Sequence, residues 1–446
     1  MVGARSAHAV GERITDVRVM GNIRTGEDTI RSLAGVSIGD TLEADTLASV
    51  RERLNTVGLF ADVNVWWENR PEGVRINIAV KDKFPWAPVP TGSWSANNKA
   101  IGLLFVHGNL FGRGKQMAIG GKLATLDSGG LLAYRDPAFF GTWIYWELKG
   151  MAQRQIIPEY DGINTRQPPI SPWRQTTVDA FGIEPAVGVA WFRRVKTQVS
   201  WRLDKVKYKG TKLFDPGTGV EVPFDPAVDP VSTLGGTVGI GRAAVAFDWR
   251  AREHAVMMGP ALGGSLDYAS SVFGSDSIYK FWRATAFWEQ GFRVFRRHNF
   301  VYSLGGFVGN KTPLFWDTTA GGTSLRGYLV QQFRGDTQAA AHVEYHFPLF
   351  SIASLDFRGL AFYDASAIWF RKLAEGTSGY VVRPEDGRSF NLNYLAPGFD
   401  FKRDVHNTVG AGLRFFLRSV AVPLVGIDAG YGLEAKSWRF ILIVGA

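Results

Sequence analysis

Apolar and polar side chains alternate along many segments of about ten residues in this chain. One such segment has an apolar face, Ala341, Val343, Tyr345, Phe347 and Leu349, and an opposite face, Ala340, His342, Glu344 and His346. Successive side chains of a β-strand point to opposite faces, so this pattern predicts a strand between an apolar and a polar medium. The same alternation returns at 198–204 and 408–418.

Two architectures produce such alternation, a soluble β-sandwich and a β-barrel in a membrane. Aromatic residues make up 13% of the 446 residues, including 15 Trp and 31 Phe. No apolar run approaches the roughly 18 residues that a membrane helix needs. The aromatic content and the regular succession of strands favour a transmembrane barrel with lipid outside and a polar lumen. Residues 92–446 have room for about sixteen strands of this kind.

Residues 14–83 have a different pattern, typical of a small soluble domain. A short strand comes first, then Thr25 is placed to cap a helix, and Gly35 follows the end of that helix. The second helix has apolar residues on one face, namely Leu47, Val50, Leu54 and Val57. Two alternating strands follow, at 63–67 and 74–80. The predicted order is therefore β-α-α-β-β.

The flanks of this domain complete the predicted division of the chain. Residues 84–91 include FPWAPVP, whose three prolines predict a stiff, non-helical linker before the barrel at 92–446. Residues 1–13 are predicted to be an N-terminal tail. Within it, Ala7-His8-Ala9 has the form of a signal-peptidase site, so we expect an export signal upstream of this sequence.

The formal net charge of +9 is unevenly distributed. Residues 11–83 contain 10 Lys and Arg against 12 Asp and Glu, so the basic excess lies in the barrel segment. It is explained either by attraction to anionic lipid headgroups or an acidic client, or by a basic lumen with solvated loops. The chain has no cysteine, which excludes thiol catalysis and zinc sites built on thiolates.

No motif of an enzyme or of a nucleic-acid-binding protein stands out. The sequence offers no nucleophile elbow, no phosphate-binding loop and no pair of catalytic carboxylates. The series His342-x-Glu344-x-His346 contains residue types that bind metal ions, but the Cα atoms of residues four apart on a strand lie about 13–14 Å from each other. Both histidines therefore cannot bind one ion. We predict a protein that is not an enzyme, with no metal, no cofactor and no nucleic-acid partner.

The segment 321–336, GGTSLRGYLVQQFRGD, resembles the sixth-loop motif of the BamA/TamA superfamily of outer-membrane barrels. The similarity extends to the N-terminal domain, whose "VMGN", "LNTVGLF" and "INIAVKD" resemble a single POTRA domain. The resemblance implies a fold that is mainly β, with one β-α-α-β-β POTRA domain before a 16-stranded antiparallel transmembrane barrel.

In that family the sixth loop folds back into the lumen, and its arginine pairs with carboxylates of the following strands. The resemblance therefore implies a lumen lock of Arg326, Gly327 and Tyr328 with Glu344 and Asp364. The planar guanidinium of arginine can serve two carboxylates at once, and glycine permits close backbone approach. The alternative is an ordinary loop tip above carboxylates that merely line a polar lumen.

Two short turns also resemble family motifs. Asn109, Gly112 and Gly114 match an N-x-x-G-x-G turn, and Asp136 with Pro137 matches the next periplasmic turn. Long connections are expected on the extracellular side, at about 154–175, 208–235, 311–336 and 371–406. Short ones are expected on the periplasmic side, at about 109–115, 136–141, 191–195 and 294–299.

The second strand of the N-terminal domain is a candidate edge for binding extended client segments through main-chain hydrogen bonds. The candidate residues are Asp62, Val63, Asn64, Val65, Trp66 and Trp67. Alternatively, the two tryptophans pack on the helices of the domain or on the barrel.

By resemblance, the chain inserts unfolded client proteins into the outer membrane of a Gram-negative bacterium or a related organelle, or moves them across it. The POTRA domain would lie in the periplasm, and a seam between about 92–105 and 437–446 would open laterally. Outer-membrane lipids are expected partners, together with periplasmic or lipoprotein accessory subunits. A two-partner secretion pore is the nearest competitor. A structural barrel that anchors other proteins is the alternative of a different class, and an enzyme barrel comes third.

Overall fold

The computed structural model describes residues 10–139, 142–160, 171–191, 194–215, 217–223, 235–253, 255–371, 398–417 and 423–445. By their internal contacts these residues form two compact units. The first contains the described residues up to Pro88, together with those of Phe105–Ile119 and Ala133–Glu147, and the second contains the rest. The sheet hydrogen bonds described below define a small N-terminal domain and a barrel.

The N-terminal domain is a three-stranded sheet covered by two helices. Its elements are β1 Ile14–Met20, α1 Glu27–Ala34, α2 Thr46–Val57, β2 Phe60–Arg70 and β3 Gly73–Asp82. Strand β3 is central, pairing in parallel with β1 and antiparallel with β2. The apolar faces of the helices and of the sheet enclose one buried core that includes Ile30, Leu54 and Ile76. The alternation and helical spacing of the sequence explain this core directly.

The ends of this domain differ from the sequence prediction in two places. Helix α1 is preceded by Gly26 as its N-cap, without a side-chain cap, so the predicted capping role of Thr25 is wrong. Arg13 forms a bridge with Thr41, and the N–H of Gly11 donates to the carbonyl of Leu42. The ordered domain therefore begins inside the predicted tail 1–13, of which residues 1–9 lie outside the described part.

The rest of the chain is almost entirely β-structure. In chain order the elements are β4 Trp86–Trp94, β5 Lys99–Leu110, β6 Lys115–Ala124, β7 Asp127–Asp136, β8 Ile144–Glu159, β9 Arg174–Trp191, β10 Val195–Phe214, β11 Glu221–Val222, β12 Gly236–Asp248, β13 Ala251–Glu253, β14 Val256–Ala269, β15 Phe281–Arg293, β16 Asn299–Asn310, β17 Thr318–Ala320, β18 Phe333–Gly335, β19 Thr337–Ile352, β20 Leu355–Trp369, α3 Phe401–Asp404, β21 Val405–Leu417, β22 Pro423–Gly432 and β23 Ser437–Val444. Apart from the short β11, β13, β17 and β18, these strands form, within the described residues, a closed antiparallel barrel of sixteen strands, as predicted.

The barrel closes where its last strand meets its first. Strand β23 pairs with β4 over only three residue pairs, from Leu442 with Trp94 to Val444 with Gly92. By comparison, β22 and β23 pair over eight. Strand β4 begins at Trp86, inside the segment 84–91, so the predicted linker is wrong from this residue onward. Proline lacks an N–H but tolerates an extended backbone where no ladder bond is required, which explains a strand through Pro88 and Pro90.

The barrel wall has two chemically different faces. On β10 the outward side chains of Val199 and Trp201 are exposed, and the inward side chains of Ser200 and Asp204 are buried. Inward charges pair with each other, as where Asp267 accepts hydrogen bonds from both Arg242 and Arg283 at 2.6–2.9 Å. Among the described residues, no helix is long and apolar enough to cross a membrane.

Several strands are longer than the roughly ten residues predicted, and β10 has twenty. Beyond Asp204 its polarity inverts, because Val206 and Tyr208 point inward and are buried, and Lys205 and Lys207 point outward and are exposed. The inward apolar residues join an internal core with Leu314 and Trp316 of the connection after β16. The strands therefore continue past the apolar band, and their extensions hold a core of their own. Of the predicted loop 371–406, residues 372–397 lie outside the described part.

Candidate functional site

The connection between β16 and β19, residues 311–336, folds back inside the barrel and is called loop 6 here. Arg326 of this loop is 4% exposed, and its guanidinium donates to both oxygens of Asp364 on β20 at 2.7 and 2.9 Å. It also donates to Glu344 on β19 at 2.7 Å. A third carboxylate, Asp428 on β22, lies 3.4 Å away, and the ring of Phe362 lies under the guanidinium. Asp428 is also bound bidentately by Arg414 at 2.6 and 2.8 Å, so the structure places two cations, Arg326 and Arg414, among three carboxylates.

The backbone of loop 6 approaches the wall closely next to this arginine. The N–H of Gly327 donates to the Thr408 hydroxyl at 3.1 Å. A Cβ on Gly327 would lie 2.4 Å from the backbone nitrogen of Gly432, so only glycine fits at this position. Gly430, two residues before Gly432 on the same face of β22, also packs closely, because a Cβ there would lie 2.7 Å from the backbone of Arg326. Small residues on both sides thus allow the loop to lie directly on strand β22.

Tyr328 fixes the loop to the turn between β22 and β23. Its hydroxyl donates to the carboxylate of Glu434, which also accepts the backbone N–H of Asn407 at 2.9 Å and its side-chain amide at 2.6 Å. The ring packs edge-on against Phe333 and His406. Arg326 and Tyr328 together attach loop 6 to strands β19 to β22 and to the turn before the last strand.

The two histidines beside Glu344 contact different carboxylates. His342 Nδ1 lies 3.2 Å from Asp364, and His346 Nε2 lies 2.8 Å from Glu344. Both histidines thus belong to the hydrogen-bonded surroundings of Arg326. Within the described ranges, no group of three histidines and carboxylates is arranged to hold a metal ion.

A further contact joins loop 6 to the other side of the seam. The side-chain amide of Asn97, in the turn between β4 and β5, accepts the backbone N–H of Val330 and donates to its carbonyl, both at 3.0 Å. The same amide nitrogen donates to the buried hydroxyl of Tyr160 at 3.0 Å. Residues 326–330 therefore contact the last strands through Arg326 and Tyr328, and the first hairpin through Val330.

The N-x-x-G-x-G turn contacts the N-terminal domain within the first compact unit. Asn109 is buried, donates to the Thr25 hydroxyl at 2.8 Å and accepts the N–H of Gly114 at 2.8 Å. The carbonyl of Gly112 accepts the N–H of Gly26 at 2.9 Å. Gly112 has φ +67°, and a Cβ there would lie 2.5 Å from the carbonyl oxygen of Arg24. The glycine is therefore required both by backbone conformation and by close approach.

Asp82 anchors the other side of Thr25. Its carboxylate accepts the backbone N–H groups of Ile23 and Arg24 at 2.7 Å and the hydroxyl of Thr25. Burial on its own raises the pKa of the Asp82 carboxyl. The hydrogen bonds from Arg24, Thr25 and Ile23 outweigh burial, so the pKa lies below its usual value of 3.8. The turn is thus held through a series of bonds from Asp82 to Thr25 to Asn109.

The next predicted turn is connected to the first. Asp136 is buried, lies 3.1 Å from the ammonium of Lys115 and accepts the N–H of Ala138 at 3.4 Å. Pro137 follows directly, where β7 ends. Lys115 is the first residue of β6, so the ion pair ties the end of β7 to the start of β6.

Strand β2, the candidate client-binding edge, lies at one edge of its sheet. Val63, Val65 and Trp67 face the core, whereas Asp62, Asn64 and Trp66 face outward. The carbonyl of Val65 accepts a hydrogen bond from Arg51 at 3.3 Å. Of the two tryptophans, Trp67 packs in the domain and Trp66 is 38% exposed.

Sequence reasoning missed several residues that contact loop 6. Asp428 shares an inward face with Gly430 and Gly432, so the period-two pattern contained a signal for it. Glu434 and Asn97 lie in hairpin turns, where exposed polar residues are expected, and asparagine in particular is common for local reasons. Nothing in the sequence around Asn97 indicates a contact 233 residues further along the chain.

The architecture defines a class: a closed sixteen-stranded barrel with a β-α-α-β-β domain before it and one loop folded into the lumen. Solved structures share this fold. BamA from Haemophilus ducreyi lacking POTRA domains 1-3 matches with a TM-score of 0.64 and 13% identity over 97% of this chain and 84% of that one. CdiB from Acinetobacter baumannii matches with 0.61 and 12% over 98% and 74%, and CdiB from Escherichia coli with 0.62 and 12% over 98% and 77%.

These likenesses confirm, at the level of the fold, the resemblance to BamA predicted from the loop motif. No protein-family model and no curated protein sequence matches the chain. Structures with 12–13% identity share the architecture, and function has to be argued from the site.

Proposed function

We propose that this protein is an outer-membrane barrel that inserts client proteins into the membrane or secretes them across it. In this proposal β1 to β3 with α1 and α2 form a periplasmic POTRA domain, and the outer membrane is that of a Gram-negative bacterium or a related organelle. The alignment with BamA covers 97% of the chain, so it extends over nearly all of this domain as well as the barrel, which supports the assignment.

The observation that carries the proposal is the short seam between β4 and β23. Only three residue pairs close the barrel there, against eight between β22 and β23. Each strand edge exposed by opening this seam has N–H and C=O groups that lack partners, and in a membrane these groups need another strand. An unfolded client supplies such a strand. The resulting chemistry is an exchange of hydrogen bonds between strand edges, without covalent catalysis or a cofactor.

The N-terminal domain contributes a second strand edge in this proposal. Strand β2 is an edge of its sheet, and the segment Asp62 to Trp67 would pair with an extended client segment through main-chain hydrogen bonds. Loop 6, held by Arg326, Gly327 and Tyr328 against Glu344 and Asp364, acts as the lock that maintains the closed barrel. Accessory periplasmic or lipoprotein subunits and outer-membrane lipids complete the proposed partners.

A disulfide across the seam tests the proposal cleanly, because the chain has no cysteine of its own. Ser93 and Ile443 are register partners, and antiparallel partners lie within disulfide reach. We expect Ser93→Cys with Ile443→Cys to stop insertion of client barrels into proteoliposomes under oxidising conditions, and a reductant to restore it.

The matched control joins the neighbouring strands. Ala411 and Ala429 are register partners between β21 and β22, so Ala411→Cys with Ala429→Cys adds a disulfide without changing a seam residue. This control should insert clients at the rate of the parent protein. Equal insertion by the seam-linked and reduced proteins would refute a lateral seam. A parent protein that inserts no client and secretes none would favour the structural barrel that anchors other proteins.

A further inference from the structure

The inversion of polarity along β10 marks where the apolar outer surface of the barrel ends. Outward positions on this strand are Val199, Trp201 and Leu203, followed by Lys205, Lys207 and Lys209. Val199 is 62% exposed, as is Phe181, the register partner of Lys205 on β9. Alternate residues of a strand face the same side, so the change from apolar to cationic occurs within one step of about 7 Å.

Lys205, Lys207 and Lys209, called the lysine row here, are all exposed. Their Cα atoms are spaced about 7 Å apart along the strand. Lys205 donates to the Thr237 hydroxyl at 3.4 Å. Two carboxylates are described near the row. Asp276 accepts the N–H of Thr237 at 2.6 Å, and Asp179 lies 3.7 Å from Lys209 and is already bound bidentately by Arg154 at 2.7 and 3.0 Å.

This cluster has an excess of positive charge. Arg154 and the three lysines contribute four cations against the two carboxylates of Asp179 and Asp276. A cationic row directly beyond an apolar, aromatic-edged surface is the arrangement that attracts phosphate at the headgroup level of a bilayer. Ordinary solvated lysines need no such alignment with the edge of the apolar face.

The topology fixes the end of the barrel at which the row lies. Strand β10 starts at the short turn after β9. The lysine row is at the opposite end of the strand. It therefore faces the leaflet at the barrel end opposite this short turn.

We propose that the lysine row, with Arg154, binds the phosphate groups of lipid headgroups in that leaflet. This inference rests on the membrane location in the proposed function, but not on client insertion. The ligand class is a phosphorylated lipid, recognised through charge, and the site holds the lipid against the outer face of β9 and β10. The expected consequence is retention of phosphorylated lipid by the purified protein.

Native mass spectrometry of the full chain in detergent, titrated with bisphosphorylated lipid A, tests this proposal. We expect Lys205→Gln, Lys207→Gln and Lys209→Gln together to weaken binding at least about tenfold, since each surface cation contributes modestly to headgroup attraction. Binding by the parent protein should weaken with added salt, and dephosphorylated lipid should bind at least about tenfold less tightly.

The matched control removes the same charge from the other end of the barrel. Arg194, Arg296 and Arg297 are exposed residues of two short turns, and their replacement by Gln should leave lipid affinity within about twofold of the parent value. Equal loss in both triple variants would show general attraction to a basic protein and overturn the site. Equal binding of phosphorylated and dephosphorylated lipid would also overturn it.

Two further measurements keep the result interpretable. Lys207→Gln alone is tested in parallel, and its loss of lipid affinity should be smaller than that of the triple variant. If the triple variant does not fold, the single variant still tests the site. The client-insertion assay is run separately on the same variants. Lipid binding without client insertion would support the lipid site at the lysine row and would contradict the proposed function.

Discussion

Arg326 is the residue on which the most contacts of loop 6 converge. Its guanidinium serves Asp364 and Glu344 directly and has Asp428 at 3.4 Å, and Asp364 and Asp428 are almost fully buried. A buried carboxylate without its cation is strongly destabilising. In the intact ion pair, the electrostatic attraction roughly offsets the cost of removing both charges from water. The main role of the arginine is therefore to compensate the negative charge of the buried carboxylates, and its loss disrupts more than one contact.

The first prediction concerns this pairing. Arg326→Ala should destabilise the barrel by about 3–5 kcal/mol, because it leaves the buried carboxylate of Asp364 without its cation. With Asp364→Ala added, the total loss should be smaller than the sum of the two single losses. Urea unfolding of the barrel in lipid vesicles measures both quantities. Additive losses in this double-mutant cycle would show that the two residues do not stabilise each other.

At the scale of elements, the turn 109–114 and the start of the N-terminal domain form one hydrogen-bonded junction. Thr25 is central to it, and sequence reasoning assigned that residue to a helix cap because a hydroxyl before a helix usually has that role. The actual N-cap is Gly26, and the hydroxyl instead joins Asp82 to Asn109. Local sequence patterns do not distinguish a hydroxyl that caps its own helix from one that contacts a distant turn.

The second prediction is a pH dependence of this junction. A pKa lowered in the folded protein means that the carboxylate of Asp82 stabilises the fold above its usual pKa of 3.8, and that this stabilisation is lost as pH falls through the lowered value. Hydrogen exchange at residues 23–26 should therefore be slower in the parent than in Asp82→Asn at pH 6. The difference should shrink below about pH 4. A difference that stays constant to pH 2 would contradict this account.

The third prediction concerns the contact between loop 6 and the first hairpin. Asn97→Ala removes both hydrogen bonds to Val330 and the one to Tyr160, so the seam residues 92–94 and 442–444 should exchange amide hydrogens about tenfold faster. Asn98→Ala is the matched control. Asn98 lies in the same turn, but its side chain accepts the N–H of Leu126 instead of contacting loop 6. Equal amide exchange rates in both variants would show that Asn97 does not stabilise the seam.

For the whole molecule, period-two alternation predicted strands with one apolar and one polar face, and the aromatic content and regular succession of strands then favoured a barrel over a sandwich. The same rule placed Glu344 on the polar face of its strand, and the resemblance to the family motif added Asp364 and the pairing with Arg326. The rule failed above the apolar band, where inward residues such as Val206 become apolar and the expected contrast reverses. Strand β10 therefore continues to Phe214, inside the connection predicted at about 208–235. Contacts made by turns, such as that of Asn97, leave no periodic signal.

The fourth prediction tests where the membrane lies along the barrel. Val199→Arg places a charge on the apolar outer face and should destabilise the barrel in vesicles by about 2–4 kcal/mol, the range for a lipid-facing arginine near the bilayer midplane. Lys207→Arg keeps the charge at the polar extension and should change stability by less than about 1 kcal/mol. Equilibrium refolding into vesicles compares the two. Similar losses at both positions would place the membrane boundary elsewhere.

The hydrogen bonds between Asn97 and Val330 also imply a reciprocal coupling. Two events that each break the same contact favour one another by the same free energy, whichever comes first. A strand that enters between β4 and β23 and displaces the first hairpin would therefore weaken the attachment of loop 6 to the barrel, to which Arg326 and Tyr328 also contribute. Conversely, anything that pulls loop 6 outward would raise the affinity of the seam for an incoming strand. A strand inserted in the barrel wall would in this way favour release of loop 6 inside the lumen.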